Sequence, residues 1–188
     1  GIDDIVVISD SDSLSFGNGT SDFPFSIAVW VNNPAVGSDD ILSKYETTSA
    51  REYWLTLLSN GIVRFGLYDQ NVGDLDARTS NVVITPNAWH HIVATYDGRG
   101  GSSASDGQTI YIDGVDVAVD RTTRAGYIAM ENTASDVILG SLLVTADMFN
   151  GTIDEVAIYN KTLSQEEVLQ LYQRTWYDHS PQTFLLHP

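Results

Sequence analysis

Asp113-Gly114 lies between two runs of alternating apolar residues, and that arrangement leaves few folds open to the chain. Thr109 to Asp113 sets Ile110 and Ile112 on one face and Tyr111 on the other, and Val115 to Val119 alternates back. Asp-Gly accepts the positive φ angles of a two-residue type I′ turn, so the segment is expected to be a β-hairpin. Just upstream, Trp89 to Tyr96 sets Trp89, His91, Val93 and Thr95 on one side and His90, Ile92, Ala94 and Tyr96 on the other. Both faces carry large apolar groups, the pattern of a strand inside a two-sheet sandwich.

The same grammar runs through the chain. Ile5 to Ile8, Phe23 to Val31, Ile41 to Tyr45, Tyr53 to Leu58, Ile62 to Tyr68, Val82 to Ile84, Val137 to Leu139 and Gly151 to Tyr159 are expected strands. Asn60-Gly61 marks a second hairpin. Asp69 to Arg78 is polar and is expected to be irregular, Arg99 to Gly107 is expected to be a Gly/Ser loop, and Arg121 to Thr133 is ambiguous. One helix is expected. Ser164 and Glu167 form a capping box, and Val168, Leu169, Leu171 and Tyr172 follow at helical spacing for about three turns. It is expected to lie across the edge of the sandwich. About ten to thirteen short strands with turns every ten residues or so mean a β-sandwich or barrel rather than βαβ units.

Composition narrows the partners. The net charge is -16, with 9 Lys and Arg against 25 Asp and Glu. Nucleic acid is a poor partner for such a surface, because phosphate neutralisation needs clustered cations. There is no cysteine, hence no disulfide or thiolate metal site within the chain. No apolar run approaches the ~20 residues of a membrane span, so membrane insertion is not expected. The chain opens almost directly in a strand and ends on F-L-L-H-P, which leads to the expectation that it is part of a larger protein.

The ordered set F-P-F-S-I-A-V-W-V, I-L-S-K, the Asn60-Gly61 hairpin, W-H-H-I-V-A-T-Y-D-G, I-Y-I-D-G-V-D-V-A, I-L-G-S and F-N-G-T-I-D-E-V-A-I-Y-N-K-T-L-S-Q-E-E-V resembles the laminin-G-like, concanavalin A-like jelly rolls. The resemblance runs from about Ile5 to Tyr172. It implies an all-β fold: a two-sheet antiparallel jelly-roll β-sandwich with one short C-terminal helix. Residues 1–174 are expected to form the domain and residues 175–188 a tail or the start of a linker. Two departures stand out: the chain begins about where the family's first strand ends, and the Arg99 to Gly107 loop is longer than the family's tight turn.

Such a fold hosts many activities, so function is sought in the site. Glycoside hydrolysis needs two carboxylates about 5–9 Å apart, depending on mechanism. The Glu-x-Asp-x-x-Glu run of the sandwich-fold endoglucanases that this architecture resembles is absent. His90 and His91 belong to the W-H-H stretch and are expected to be structural, so no enzyme is expected. Sugar binding uses aromatic faces and hydroxyl-bonding side chains. Tyr53, Trp54, Arg64, Tyr68 and Asp69 are the leading candidates, with Tyr45, Tyr127, Gln70 and Asn71 beside them. The resemblance also implies a structural Ca²⁺ near the start of the chain, gripped by Asp154 in a late strand with Asp3 and Asp22 near it. Such ions take six to eight oxygens. Asp97 and Asp106 mark a second candidate loop. The sequons at Asn18, Asn150 and Asn160 matter only in a glycosylating host. The leading expectation is a non-catalytic, lectin-like module of an extracellular or virion-surface protein. The alternative is a structural or adhesion module that binds a surface protein, in a capsid decoration, fibre or surface appendage.

Overall fold

The computed structural model describes residues 4–34, 39–46, 49–122, 126–143 and 148–179. In chain order the strands are β1 (Val6–Ile8), β2 (Phe25–Asn32), β3 (Asp39–Tyr45), β4 (Arg51–Leu57), β5 (Ile62–Asp69), β6 (Asp74–Val83), β7 (Trp89–Tyr96), β8 (Gln108–Ile112), β9 (Val115–Asp116), β10 (Ala118–Thr122), β11 (Val137–Leu139) and β12 (Thr152–Tyr159). One helix, α1 (Gln165–His179), follows them. The strands form a seven-stranded sheet, β1-β11-β3-β4-β5-β6-β10, and a five-stranded sheet, β12-β2-β7-β8-β9. Every pairing is antiparallel. The fold is the expected two-sheet sandwich.

Alternation builds the core. Phe25, Ile27, Val29 and Val31 from β2, Tyr53, Leu55 and Leu57 from β4, and Val63, Phe65 and Leu67 from β5 all point between the sheets. At the hairpin after β8, Asp113 (φ 52) and Gly114 (φ 81) both take positive φ, as a type I′ turn requires. The returning segment does not stay in one sheet. It pairs with β8 as β9, then with β6 as β10, so the chain changes sheets at the buried Val117.

The expectations for the polar stretch before Arg78 and for the placement of the helix are corrected. Asp74 to Arg78 is not irregular but the first half of β6, paired with β5 from Asp69↔Asp74 onward. Apolar alternation is missing there because the inward positions, Asp76 and Arg78, face backbone. The Asp76 carboxylate accepts a bond from the Ser105 N–H (3.2 Å), and Arg78 Nε donates to the Gln108 carbonyl (3.2 Å). The Gly/Ser loop is a 3-10 segment, Gly101–Gly107, with Ala104 and Ser105 fully buried. The helix, in turn, lies not across an edge but on the outer face of the five-stranded sheet. Val168, with Leu163 ahead of it, packs on Ala28, Val93 and Tyr111. Its capping box forms as expected: Glu167 N–H donates to Ser164 Oγ at 3.3 Å and Ser164 N–H to the Glu167 carboxylate at 2.9 Å.

The helix runs through His179, one turn beyond the expected length, and covers the W-H-H stretch. Trp30 stacks on His179 (4.3 Å between centroids, 5° between planes), and its indole N–H donates to Thr175 Oγ1 at 2.7 Å. Both histidines of the stretch are structural. The Thr85 N–H donates to His90 Nε2 (3.0 Å), so Nδ1 carries the proton that bonds Asp113 (2.8 Å). His91 lies buried against Trp30, and burial pushes its pKa down to about 4.

Candidate functional site

With one outer face covered by the helix, the outer face of the seven-stranded sheet is the other broad surface of the sandwich. Along β5, Val63, Phe65 and Leu67 point inward, so Arg64, Gly66 and Tyr68 point outward. Along β4, Trp54 is the outward residue between the inward Tyr53 and Leu55. Along β3, Ser43 lies opposite Trp54 and Tyr45 alternates onto the same outer face, and a register shift that skips Glu52 brings Arg51 opposite Tyr45.

Tyr45, Trp54 and Tyr68 therefore group on one face. Tyr45 meets Trp54 edge-on at 6.0 Å and Tyr68 at 6.4 Å. Arg51 is clamped between the two tyrosines. Its guanidinium carbon lies 5.2 Å from the Tyr45 ring and 4.9 Å from the Tyr68 ring, and Nη1 donates to the Tyr68 hydroxyl at 2.8 Å. Arg64 lies over the Trp54 ring at 5.9 Å. Trp54 in turn lies over Gly66, where a Cβ would approach the indole to 2.3 Å. Only a glycine lets the indole sit that close to the sheet. Two of the nine cationic residues of an acidic chain thus stand among these three rings.

The other candidates are placed elsewhere. Tyr53 is a core residue with no exposed surface, its hydroxyl donating to the Leu14 carbonyl at 2.8 Å, so its expected role in ligand binding is corrected. The strand's alternation sends Tyr53 inward and its neighbour Trp54 outward. Asp69 is buried too. Its carboxylate accepts from the N–H groups of Val72, Ile128 and Ala129 and ties the β5–β6 turn to the 128–129 segment. Tyr127 is buried and donates to Asp22 at 2.8 Å. Gln70 and Asn71 donate their backbone N–H groups to Glu131. Tyr45 proves central to the cluster, and Arg51 was missed because an arginine beginning a strand has no signal until its register is known.

Two of the expected calcium ligands, Asp22 and Asp154, do not converge. Asp22 adjoins the start of β2, where its carboxylate accepts from the hydroxyls of Tyr96 (2.7 Å) and Tyr127 (2.8 Å) and from the Met130 N–H (2.8 Å). Burial pushes its pKa up to about 6 against the pull of those donors. Asp154 sits opposite Trp30, five positions beyond Phe25 and so roughly 17 Å farther along β2. It is exposed and touches His179 Nε2 at 3.3 Å. Asp3 lies outside the described residues. Near the chain's start, a cleft of about 300 Å³ between β1, β11 and β12 is walled mainly by Ile5, Val6, Leu139, Phe149, Ile153 and Val156, with Asp4 its one carboxylate. Asp97 pairs with Arg99 (2.6 Å) and Asp106 with Arg121. Among the described residues, no three acidic or histidine groups gather as metal ligands.

Tyr45 and Tyr68 are half-buried and Trp54 keeps 9% of its surface exposed. The fold is a two-sheet jelly roll of the concanavalin A-like kind. The chain belongs to the concanavalin A-like lectin/glucanases superfamily, whose laminin-G model matches residues 3–169. No curated protein matches it. Among solved structures it is similar to the binding domain of Paraclostridial Mosquitocidal Protein 1, at TM-score 0.65 and 18% identity. That likeness covers 92% of this chain and 41% of the other. The Botulinum neurotoxin serotype G binding domain is comparable, at TM-score 0.64 and 17% identity over 96% of this chain and 47% of that one. A heptameric SAP-like pentraxin from Limulus polyphemus aligns at TM-score 0.55 and 12% identity, over 92% and 83%. The chain thus spans less than half of the two toxin domains, and at these identities the likeness is one of fold.

Proposed function

We propose that the chain is a non-catalytic, lectin-like recognition module of a larger extracellular or surface protein, and that its glycan lies on the outer face of the seven-stranded sheet. The half-exposed rings of Tyr45 and Tyr68 with Arg51 between them, packed beside the mostly buried Trp54, carry this reading. Rings with an apolar face and a polar rim stack on the C–H face of a pyranose, while arginine N–H groups bond its oxygens. The toxin structures that share the fold are themselves binding domains, which supports a recognition role.

The test is a glycan array probed with the whole chain, in Ca²⁺ and again in chelator, beside Trp54→Ala and Tyr45→Ala. Binding that survives chelation and is lost in both variants is the expected result. Absence of binding on any array overturns the reading.

One observation favours the structural or adhesion alternative. Among the described residues, strand β1 pairs on one side only, with β11, and its Val6, Val7 and Ile8 are all exposed. An open edge bearing aliphatic side chains is a template for pairing with another chain. A stable oligomer by sedimentation, dispersed by Val7→Lys and joined to a blank array, would favour that alternative.

A further inference from the structure

We infer that Lys44 and Asp10 become joined by a side-chain amide bond, formed within the folded chain with Glu52 as the proton carrier.

The three side chains meet out of water. Lys44 and Glu52 have no exposed side-chain surface, while Asp10 keeps 29% of its own. Lys44 Nζ lies 2.7 Å from Asp10 Oδ1 and 3.1 Å from Glu52 Oε1. An oxygen at that distance puts the Asp10 carboxyl carbon roughly 3.5 Å from the nitrogen, within reach of attack. Glu52 is fixed through Oε1, which accepts from Ser15 Oγ (3.1 Å), the Thr133 N–H (2.9 Å) and Thr133 Oγ1 (2.8 Å). Its Oε2 is buried without a partner. A bare carboxylate oxygen out of water is unfavourable, and a proton relieves it. Burial raises the Glu52 pKa, which suits a group that takes up and returns protons.

A buried ion pair gains little, because desolvation offsets the attraction of the two charges. Condensation removes both charges, and the step balances. Glu52 takes one proton from the Lys44 ammonium, which frees the nitrogen lone pair, and passes it to an Asp10 carboxylate oxygen. Nζ attacks Cγ and the C–N bond forms. Glu52 carries a second proton from the nitrogen to the same oxygen, the C–O bond breaks, and water leaves by the exposed side of Asp10. Three hydrogens on nitrogen become one on the amide and two on the water. Glu52 ends as it began, and no outside reagent is consumed.

The position suits a covalent tie. Asp10 follows β1, Lys44 lies on β3, and β11 stands between those strands in the sheet. Strand β1 is held to β11 by three residue pairs. The amide closes a span of 34 positions and anchors this edge to the sheet interior. Cross-links over longer loops remove more freedom from the unfolded chain. A chain with no cysteine has no disulfide to do this.

The experiment is intact-mass spectrometry of the whole chain in denaturant, followed by peptide mapping. The expected result is a mass one water below that of the sequence, and a branched peptide joining Asp10 to Lys44. Lys44→Arg and Glu52→Gln should keep their full mass. Asp10→Asn should lose one ammonia instead of one water, a signature that an ion pair cannot give and that does not depend on the other variants folding. A wild-type chain at full sequence mass overturns the bond and leaves an ion pair. A missing water that maps to Asp113-Gly114 as a succinimide, returns in mild alkali and ignores Lys44→Arg overturns it too. So does a branch at Glu52 in place of Asp10.

Discussion

The indole of Trp54 rests over Gly66 of the neighbouring strand, closer than any side chain at position 66 permits. Gly66→Ala therefore has to lift Trp54 away from the sheet and from Arg64. Overpacking of this kind costs about 1–3 kcal/mol, measurable by urea denaturation. The shifted indole should change tryptophan emission, and saccharide binding should fall with it. An alanine variant with wild-type emission and stability would show that the indole does not depend on this close approach.

Two buried groups at different places oppose each other in pH. Asp22 titrates at about 6 rather than 3.8, because burial outweighs the donors from Tyr96, Met130 and Tyr127. Its contribution is fully present below about pH 4 and is lost as pH rises through 6, since the folded state there holds a proton the unfolded chain has released. His91 titrates at about 4 rather than 6.5, because burial outweighs Asp113. Its contribution is present above about pH 6.5 and is lost as pH falls through 4. Each slope is about 1.4 kcal/mol per pH unit and the signs are opposite, so over pH 4–6 the two nearly cancel. Compared with wild type, Asp22→Asn should gain stability more steeply as pH rises, and His91→Gln should lose it. Denaturation at pH 4, 5 and 6 checks this; parallel curves for all three proteins refute it.

Hairpins, cap and core were legible in the sequence wherever apolar period and turn chemistry agreed. Asp113-Gly114 specified its turn because few residue pairs take positive φ twice, and Ser164 with Glu167 specified the helix start. Strand β6 was hidden because Asp76 and Arg78 point inward at backbone groups of Ser105 and Gln108, which no hydrophobic period records. The site was half legible. Residue types picked out Trp54, Arg64 and Tyr68, but choosing Trp54 over Tyr53 needs the face, and that is set by register. The bulge at Glu52 that brings Arg51 opposite Tyr45 likewise depends on how β4 pairs with β3.

Lys44 has no exposed surface. Its Nζ lies 2.7 Å from Asp10, 3.1 Å from Glu52 and 2.6 Å from the Ser135 carbonyl, pinning two loops to β3 and β4. Glu52 is equally buried, and burial raises its pKa in spite of Lys44. Lys44→Met strands that carboxylate and should cost about 3–5 kcal/mol at neutral pH. The loss should shrink as pH falls and Glu52, its pKa raised by burial, takes up a proton. In a double-mutant cycle with Glu52→Gln, the combined loss should be smaller than the sum of the two single losses. Simple additivity would mean the pair is not coupled.

The last turn of the helix tests where the folded unit ends. Sequence pattern set the boundary at residue 174, yet Thr175 and His179 provide the hydrogen bond and the stacked ring that close over Trp30, and Trp89 meets His179 edge-on at 4.6 Å. Trp30 keeps 1% of its surface exposed under this cover. A chain ending at 174 uncovers the indole and should lose about 2–4 kcal/mol, the sum expected for re-exposing a large aromatic side chain and losing its ring contact. His179→Ala in the full chain should cost about 1 kcal/mol. Chemical denaturation of both, with quencher access to tryptophan as the second readout, separates the outcomes. A chain cut at 174 that unfolds at the wild-type midpoint, with its indoles still shielded, would return those residues to a tail and leave Trp30 covered by Tyr172 and His91.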